Sequence, residues 1–532
     1  MSLKELTEKL VQQKREALKM GGEAEVARQH QAGKLSVRER IDLFFDAGTF
    51  VEIGILARAA EDPSLAGKQT PADGVVTGFG MVSGRKACVI AYDFTVIAGS
   101  IGEVGERKSD RMRQMAMSER MPIVWLLDSA GARIQEIASS KFAMTGKMFF
   151  DQVQLSGVVP QVAAVMGPTA AGTSYIAALA DFVPMVKGTS SMALAGAPLV
   201  KAVIGEDITT EALGGSKVHC ELSGVGDLET ADDRECIAVI KRYLSYFPAH
   251  SGEKPPRDVS KKAENESDRL SRLLSGDSGS HEKLDDSILN IVPDDSRKAY
   301  DMRRVIEKIV DGASILEIKP GFGRGIITSL ARIGGYSIGI VASQPAFRGG
   351  VIDVDESDKA ARFMNLCDAY NIPLLFLQDV PGFMVGSEVE KKGIIRHGAK
   401  MLFAVSRASV PKITVIIRKA YGAGYYVMGG KAYGPDLIVA WPSAEVSLMG
   451  AEGAVNIIFR KEIEKAKDPA KRREELVKEY RERIALDLAA SGAYIDDVID
   501  PRDTRRVIIQ ALQMTENKKI VLPEKKHGVE PV

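Results

Sequence analysis

The chain has 532 residues, enough for two to four domains with large cores. Lys and Arg number 71, as do Asp and Glu, and this balance excludes an overall field that would attract nucleic acid or an anionic membrane. No apolar run approaches the roughly 20 residues of a membrane-spanning helix, and four cysteines without a CxxC pair indicate reduced thiols rather than disulfides or zinc ligands. We therefore predict a soluble cytoplasmic protein without a bound metal.

The first half of the chain alternates predicted helices with predicted strands. Helices are expected at residues 2–20 and 37–46, and the runs rich in Val and Ile that follow have the length and composition of buried strands. We place strands at 74–77, 87–92, 123–127, 159–166 and 182–186, and helices between them at 103–120 and 174–180. Alternation of this kind predicts an α/β fold.

A polar segment rich in Pro, Gly and Ser separates the two halves of the chain. It extends from about residue 251 to residue 295, and we assign 256–295 as an interdomain linker. The N-terminal domain then spans 1–255 and the C-terminal domain 296–532. The alternative, one long surface loop inside a single domain, is less favoured because loops of about 45 residues are uncommon in compact units.

The order of the first half returns beyond the linker at a constant offset of 251 positions. One register is kept over some 80 positions, and it matches glycines, prolines and aspartates as well as apolar runs. Chance similarity of apolar residues does not explain such a match, so we predict an internal duplication. The corresponding pairs include Lys108 and Lys359, Pro122 and Pro373, Asp128 and Asp379, and Gly131 and Gly382.

Each half contains two places where a strand runs into a turn of Gly and Ala. In the first half these are Asp128–Arg133 and the turn near Gly172, and in the second half Asp379–Phe383 and the turn containing Ala423 and Gly424. Turns and helix starts of this kind expose backbone N–H donors, which suits the stabilisation of an enolate or another oxyanion. Simple packing is the alternative for any one turn, but four turns placed symmetrically favour function.

Side chains that usually carry catalysis are absent from recognisable motifs. There is no GxSxG elbow, no GxxxxGK[ST] loop and no GxGxxG after a first strand. Only His397 of the six histidines is close in sequence to the Gly-rich turns, and we interpret it as structural rather than as a general base. The charged stretch 461–483 is predicted to be one helix with a solvated face.

Several stretches resemble one enzyme family. Asp128–Glu136 resembles the first oxyanion motif of the carboxyltransferase (beta) subunit of biotin-dependent acyl-CoA carboxylases, and 34–41, 46–52, 393–400 and 418–428 are also similar to that family. The resemblance implies two tandem crotonase-like domains. It also implies transfer of CO2 from carboxybiotin, on a separate carrier protein, to the α- or vinylogous carbon of an acyl-CoA through a thioester enolate.

The resemblance also implies roles for particular residues. The amides of Ala130, Gly131 and Ala132 would face the thioester on the N-terminal, acyl-CoA side, and those of Ala423 and Gly424 would face the biotin ureido group on the C-terminal side. The twin turn at 379–383 would be architectural. Substrate-binding positions would be Gly172, Tyr425 and Tyr426.

The implied partners and alternatives follow from the same resemblance. Because no Lys follows a Met as in a biotinylation site, a biotin carboxyl carrier protein and a biotin carboxylase subunit are expected as separate chains. The family forms homo-oligomers, commonly hexamers, with active sites between protomers. Residues 132–136 are similar to the propionyl-CoA branch, whereas 421–425 are similar to the methylcrotonyl-CoA branch. The α subunit of a sodium-pumping acyl-CoA decarboxylase and a non-catalytic scaffold are the alternatives.

Overall fold

The computed structural model describes residues 1–61, 63–65, 67–138, 140–258, 285–484 and 486–531. The chain forms two compact units, Met1–Lys254 and Pro255–Val532. Most of the predicted linker 256–295 lies outside the described residues. Its described ends belong to the second unit, where the N–H of Asp258 donates to the carbonyl of Gly335.

The first unit contains an eight-stranded sheet in the order β1-β2-β3-β4-β5-β6-β8, with β7 paired to β5. Strands β1 to β3 pair antiparallel, and all pairs from β3 to β8 are parallel. The strands are β1 (Val51–Ile53), β2 (Val75–Val82), β3 (Arg85–Tyr92), β4 (Ile123–Ser129), β5 (Gln161–Ala170), β6 (Pro184–Val186), β7 (Ser191–Ala193) and β8 (Leu228–Thr230).

Helices cover the faces of this sheet, and β4 and β5 are buried along nearly their whole length. Continuous apolar runs are expected where both faces of a parallel sheet are covered. The α-helices are Leu3–Leu18, Glu23–Gln31, Val37–Phe44, Glu103–Ser118, Ile134–Ile137, Lys147–Leu155, Gly172–Leu179, Ala197–Ile204, Thr210–Gly214 and Asp233–Leu244, and Val218–Ser223 is a π-helix. Helices were not predicted at 23–31, 134–137, 147–155, 197–204, 210–214 and 233–244.

The second unit repeats this sheet. Its order is β16-β14-β13-β12-β11-β10-β9 with β15 paired to β13, and the antiparallel and parallel pairs follow the same pattern up to β15. The α/β prediction is therefore confirmed for both units. The strands are β9 (Leu316–Ile318), β10 (Ile326–Ile333), β11 (Tyr336–Ser343), β12 (Leu374–Val380), β13 (Lys412–Tyr421), β14 (Leu437–Ala440), β15 (Glu445–Ser447) and β16 (Asp497–Val498).

One predicted helix of the second unit is wrong in extent. The stretch 461–483 contains a break at residues 466–468, because Asp468 accepts a hydrogen bond from the N–H of Lys471 and Pro469 occupies the first helical turn. The α-helices of this unit are Arg303–Ile309, Val354–Ala369, Ser387–Lys391, Ile394–Arg407, Gly422–Val427, Ala451–Ile458, Arg460–Lys465, Pro469–Arg483, Leu486–Ser491 and Thr504–Met514.

Candidate active site

The carboxyl end of β4 carries Asp128, which is fully buried in a polar cluster. Its carboxylate accepts hydrogen bonds from Lys34 Nζ at 3.0 Å, Arg40 Nη1 at 3.0 Å and Gln29 Nε2 at 2.8 Å. Burial lowers the pKa of Arg40, but the attraction of Asp128 and Asp233 outweighs it, so that the pKa lies above its ordinary value. Asp128 therefore anchors the strand end and is not available as a catalytic base.

The turn that follows Asp128 uses most of its own amides. The N–H of Ala130 donates to the carbonyl of Ala98 at 2.9 Å, and that of Gly131 to Ser129 Oγ at 3.1 Å. These two amides are not free donors, although both were predicted to face a thioester. Ala132 differs. Ile101 forms a parallel bridge with residues 131–133, in which the residues on either side of Ala132 bond to Ile101, so the N–H of Ala132 points away from Ile101.

A second turn, at the end of β5, supplies another donor. Ala171 has φ 53° and ψ −117°, its N–H donates to the carbonyl of Ala193 at 3.0 Å, and the helix begins at Gly172. The first amides of a helix have no intrahelical acceptor. Among the described residues, no side chain caps this helix start. The amide of Gly172 thus lies at a helix start without a side-chain cap.

Ala132 and Gly172 line the same cavity, which has a volume of about 960 Å³. A Cβ on Gly131 would lie 2.8 Å from the carbonyl oxygen of Ala170, so the two turns touch and only glycine fits there. The structure therefore brings two of the predicted site residues together over an apolar pocket. Its large apolar wall residues are Ile101, Ile137, Phe142, Met144, Met148, Phe149, Tyr175 and Leu194.

Sequence reasoning missed the wall of this cavity, which the segment 142–149 and Tyr175 provide. No sequence signal marks this wall, because the exposure of Phe142 and Met144, which is typical of a binding surface, is visible only in the structure. The second missed group is the set of partners of Asp128. Lys34 and Arg40 lie in a stretch that resembles the family, but its cations had no assigned role.

The twin turn in the second unit keeps the fold of the first and changes its chemistry. The N–H of Ile352 donates to the carbonyl of Gly382, and Ile352 and Phe383 form the bridge that Ile101 and Ala132 form in the first unit. Pro381, at the position of Ala130, has no N–H. Phe383 replaces Ala132, and its ring lies 3.1 Å from where a Cβ of Gly398 would be.

The turn at the end of β13 contains Ala423 and Gly424. Gly422 has φ 57°, and the helix Gly422–Val427 that it begins has no side-chain cap among the described residues. A Cβ on Gly424 would lie 2.8 Å from Val380 Cγ2 and 3.0 Å from the Cα of Gly382. Any larger residue at position 424 must therefore displace the neighbouring strand end.

The remaining predicted residues lie on the same side of the second unit. Tyr425 is half-buried, its Oη accepts a hydrogen bond from the N–H of Lys431 at 2.9 Å, and burial raises its pKa. Tyr426 is exposed, with its ring centroid 5.9 Å from those of Tyr425 and Tyr433. An exposed ring in this position is available to a ligand.

His397 has both ring nitrogens engaged. Nδ1 is 2.8 Å from Asp358 Oδ1, and Arg396 Nη2 is 3.1 Å from Nε2. Because a guanidinium only donates, Nε2 accepts and the proton is on Nδ1. This arrangement fits the structural role that was expected of the imidazole.

Two further expectations concern metals and membranes. Within the described part of the chain, no group of three or more His, Cys, Asp or Glu side chains is arranged to hold a metal ion. No helix among the described residues is long and apolar enough to cross a membrane. All four cysteines are buried, and none of them forms a disulfide.

Each unit is a sheet of mostly parallel strands in which a Gly/Ala turn meets a helix start, and this is the crotonase-like class of fold. A model of the carboxyl transferase domain matches residues 28–530. The chain is 43% identical over 535 residues to the propionyl-CoA carboxylase carboxyltransferase subunit of Haloferax mediterranei, covering 100% of both chains. It therefore belongs to the carboxyl transferase family and is an acyl-CoA carboxyltransferase, which confirms the resemblance.

Two other relatives bear on its activity. The alpha subunit of methylmalonyl-CoA decarboxylase of Propionigenium modestum is 42% identical, with 98% of each chain covered. The 12S subunit of transcarboxylase, solved as a hexamer with methylmalonyl-CoA and methylmalonic acid bound, matches with a TM-score of 0.92 at 42% identity. That match covers 100% of this chain and 99% of the solved chain.

Proposed function

We propose that the chain transfers a carboxyl group between biotin, on a separate carrier protein, and the α-carbon of an acyl-CoA. The observation that carries this proposal is the apolar cavity of the first unit, whose wall includes Ala132 and Gly172. The amides of these two residues have no acceptor among the described residues. Propionyl-CoA and methylmalonyl-CoA are the first substrates to test, because the similar proteins are named for them. A vinylogous substrate, as in methylcrotonyl-CoA carboxylation, is the second choice.

In this proposal the first unit binds the acyl-CoA. The thioester oxygen accepts hydrogen bonds from the amides of Ala132 and Gly172, which stabilise the negative charge that develops when the α-carbon becomes an enolate. Preorganised amides do this without a titrating side chain. The apolar wall, including Phe149 and Tyr175, excludes water and so strengthens these hydrogen bonds.

The second unit is assigned to biotin. When bound, carboxybiotin supplies an activated carboxyl group and a ureido nitrogen that can exchange a proton with the α-carbon. The turn at Ala423 and Gly424 fits this group, because the first amides of its helix have no side-chain cap among the described residues. These amides would bind the ureido oxygen. Tyr425 and Tyr426 would border the acyl group and the ring.

The assembly belongs to the same proposal. We assign residues 1–255 to the acyl-CoA and 296–532 to biotin, so that the chain works with a biotin carboxyl carrier protein and a biotin carboxylase. A homo-hexamer, as solved for the 12S subunit, would complete each site between protomers. The similarity to decarboxylase alpha subunits makes decarboxylation the second candidate, and we place either activity in the cytoplasm.

The test is carboxyl transfer from methylmalonyl-CoA to free biotin by the purified oligomer, followed by chromatography of the CoA esters. We expect propionyl-CoA to form only when biotin is present. Gly424→Val should reduce the rate by 100-fold or more, the order of effect of losing an oxyanion donor, while size-exclusion chromatography shows an unchanged oligomer.

Gly453→Ala is the matched control, because a Cβ at that helical position would meet nothing nearer than Met449 Sδ at 3.9 Å. It should keep the wild-type rate. Turnover at the wild-type rate in Gly424→Val would remove Ala423 and Gly424 from the site. Absence of transfer from any malonyl-type thioester to biotin in the wild-type protein would overturn the proposed function itself.

A further inference from the structure

The two homologous turns differ, among other positions, at the residue with positive φ. At the offset of 251, Ala171 corresponds to Gly422, and the two residues have nearly the same φ, 53° and 57°. Positive φ favours glycine, and with ψ −117° Ala171 has the conformation that glycine dominates at the first central position of a type II′ turn. An alanine in such a conformation costs about 1–3 kcal/mol.

Several hydrogen bonds hold Ala171 in this conformation. Its N–H and the Ser174 hydroxyl both donate to the carbonyl of Ala193, at 3.0 and 2.9 Å. The Thr173 hydroxyl donates to the carbonyl of Ala170 at 2.7 Å and accepts from the N–H of Ala170 at 3.0 Å. None of these bonds involves the methyl group, so the turn would form equally well with glycine.

Ala171 is exposed and is part of the cavity wall. Its Cβ lies 3.8 Å from where a Cβ of Gly131 would be, and Gly131 and Ala171 directly precede the two free donors, Ala132 and Gly172. A thioester oxygen that binds both donors therefore has its α-carbon near this methyl group.

We infer that the methyl group of Ala171 is a specificity-determining element, which limits the size of the substituent on the α-carbon of the acyl-CoA. The inference rests on the proposed function, since it needs the thioester at Ala132 and Gly172. Because the methyl group of Ala171 costs stability and makes no contact that holds the turn, we assign its effect to the substrate in the cavity. One methyl group in such a pocket discriminates substrates by about 10- to 200-fold.

The test uses three donors that differ only at the α-carbon. Malonyl-CoA, methylmalonyl-CoA and ethylmalonyl-CoA carry hydrogen, methyl and ethyl, and transfer of their carboxyl group to free biotin leaves acetyl-, propionyl- and butyryl-CoA. The carboxyl group moves from the α-carbon to a biotin nitrogen, and the proton of that nitrogen moves to the α-carbon. We measure kcat/KM for each donor with the complete oligomer.

For Ala171→Gly we expect the ratio of kcat/KM for ethylmalonyl-CoA to that for malonyl-CoA to rise tenfold or more, together with a higher Tm. For Ala171→Ser, which adds one atom, the same ratio should fall. Gly422→Ala is the matched control, because it places the methyl group in the other turn. It should leave the ratio unchanged even if all rates decrease.

A ratio that changes less than twofold in Ala171→Gly would overturn the inference, provided that the wild-type protein is active. Loss of transfer in both Ala171 variants would also overturn it, because the methyl group would then support the turn rather than limit the acyl group. If the wild-type protein transfers nothing to biotin from any of the three donors, it is the proposed function that fails.

Discussion

Asp128 and Asp379 end equivalent strands and are both buried, yet different parts of the chain neutralise them. Asp128 is paired with Lys34 and Arg40, which precede it in the sequence by 94 and 88 residues. Asp379 is paired with Arg418 from the neighbouring strand β13, at 3.0 Å. Burial raises the pKa of Asp379, although the charge of Arg418 opposes the rise.

The two aspartates have different cationic partners because of a single position of the repeat. Arg418 corresponds to Gly167 at the offset of 251. A Cβ on Gly167 would lie 1.9 Å from Asp128 Oδ1, so the carboxylate occupies the space that a side chain would need. Both units thus have the aspartate and the turn that follows it, but the cation that neutralises the aspartate comes from a different part of the chain. The first unit consequently takes the cations for its aspartate from its N-terminal residues, whereas the second takes its cation from a strand of its own sheet.

The largest expected effect concerns this position. Gly167→Ala should destabilise the protein by more than about 4 kcal/mol, because the added carbon must displace a buried carboxylate from its cations. The measurement is the urea midpoint and the Tm of the purified oligomer. Gly196→Ala, where a Cβ would meet only Pro198 Cδ at 3.7 Å, should cost no more than about 1 kcal/mol.

A Gly167→Ala protein of normal stability would show that Asp128 can move away from Lys34 and Arg40 without loss. The different pairing of Asp128 and Asp379 would then have no effect on stability. Strong destabilisation with an unaffected Gly196→Ala protein would instead support the dependence of the first unit on residues 34–40.

In contrast to the aspartates, the buried lysines Lys108 and Lys359 have equivalent partners in the two units. Lys108 Nζ donates to the carbonyls of Ala72 and Val75, and Lys359 Nζ donates to those of Gly323 and Ile326, the equivalent positions, and also to that of Phe322. Burial lowers the pKa of Lys108 to about 8 and that of Lys359 to about 7. These lysines hold the start of the second strand of each sheet.

This pair predicts a pH dependence of stability. The pKa of Lys359 is about 7 in the folded chain and 10.5, the ordinary lysine value, in the unfolded chain. Between these two pH values Lys359 is protonated in the unfolded chain but not in the folded chain. Stability therefore rises with pH in this range, and for Lys108 the range begins only at about 8. Lys359→Met should flatten the rise between about pH 6 and about pH 9.5 more than Lys108→Met.

The urea midpoint of each protein at the two pH values measures this effect, with the wild-type protein as reference. Equal flattening by the two substitutions would contradict the difference in pKa. A steeper rise in either variant would contradict the assignment of the lowered pKa to these lysines.

The repeat explains how much the sequence could predict. Pairs such as Asp128 and Asp379 follow from counting residues at one offset, and the strands follow from their apolar runs. All three amides of 130–132 were predicted to face the thioester, and the sequence could not distinguish Ala132 from the other two, because the difference depends on bonds to Ala98 and Ile101, some 30 residues away. The helix break at Pro469 was readable from the sequence, since proline is favoured in a first helical turn.

The residue before each aspartate also differs between the units: it is Leu127 in the first and Gln378 in the second. Gln378 is fully buried, and its Nε2 donates to the carbonyl of Met428 at 2.7 Å. Its Oε1 has no hydrogen-bond partner among the described residues. Gln378→Leu loses the hydrogen bond to Met428 and a longer one to the carbonyl of Tyr425, at 3.5 Å. It also removes a buried acceptor without a donor, and these effects are of similar size.

We therefore expect Gln378→Leu to change the free energy of unfolding by less than about 1 kcal/mol. The reciprocal Leu127→Gln is the matched variant, and it should be clearly destabilising because it puts an amide into an apolar core. Urea midpoints at one pH measure both proteins. If Gln378→Leu costs as much as Leu127→Gln, the Gln378 amide is fully bonded in solution, and the second unit has a polar support beneath its turn that the first unit lacks.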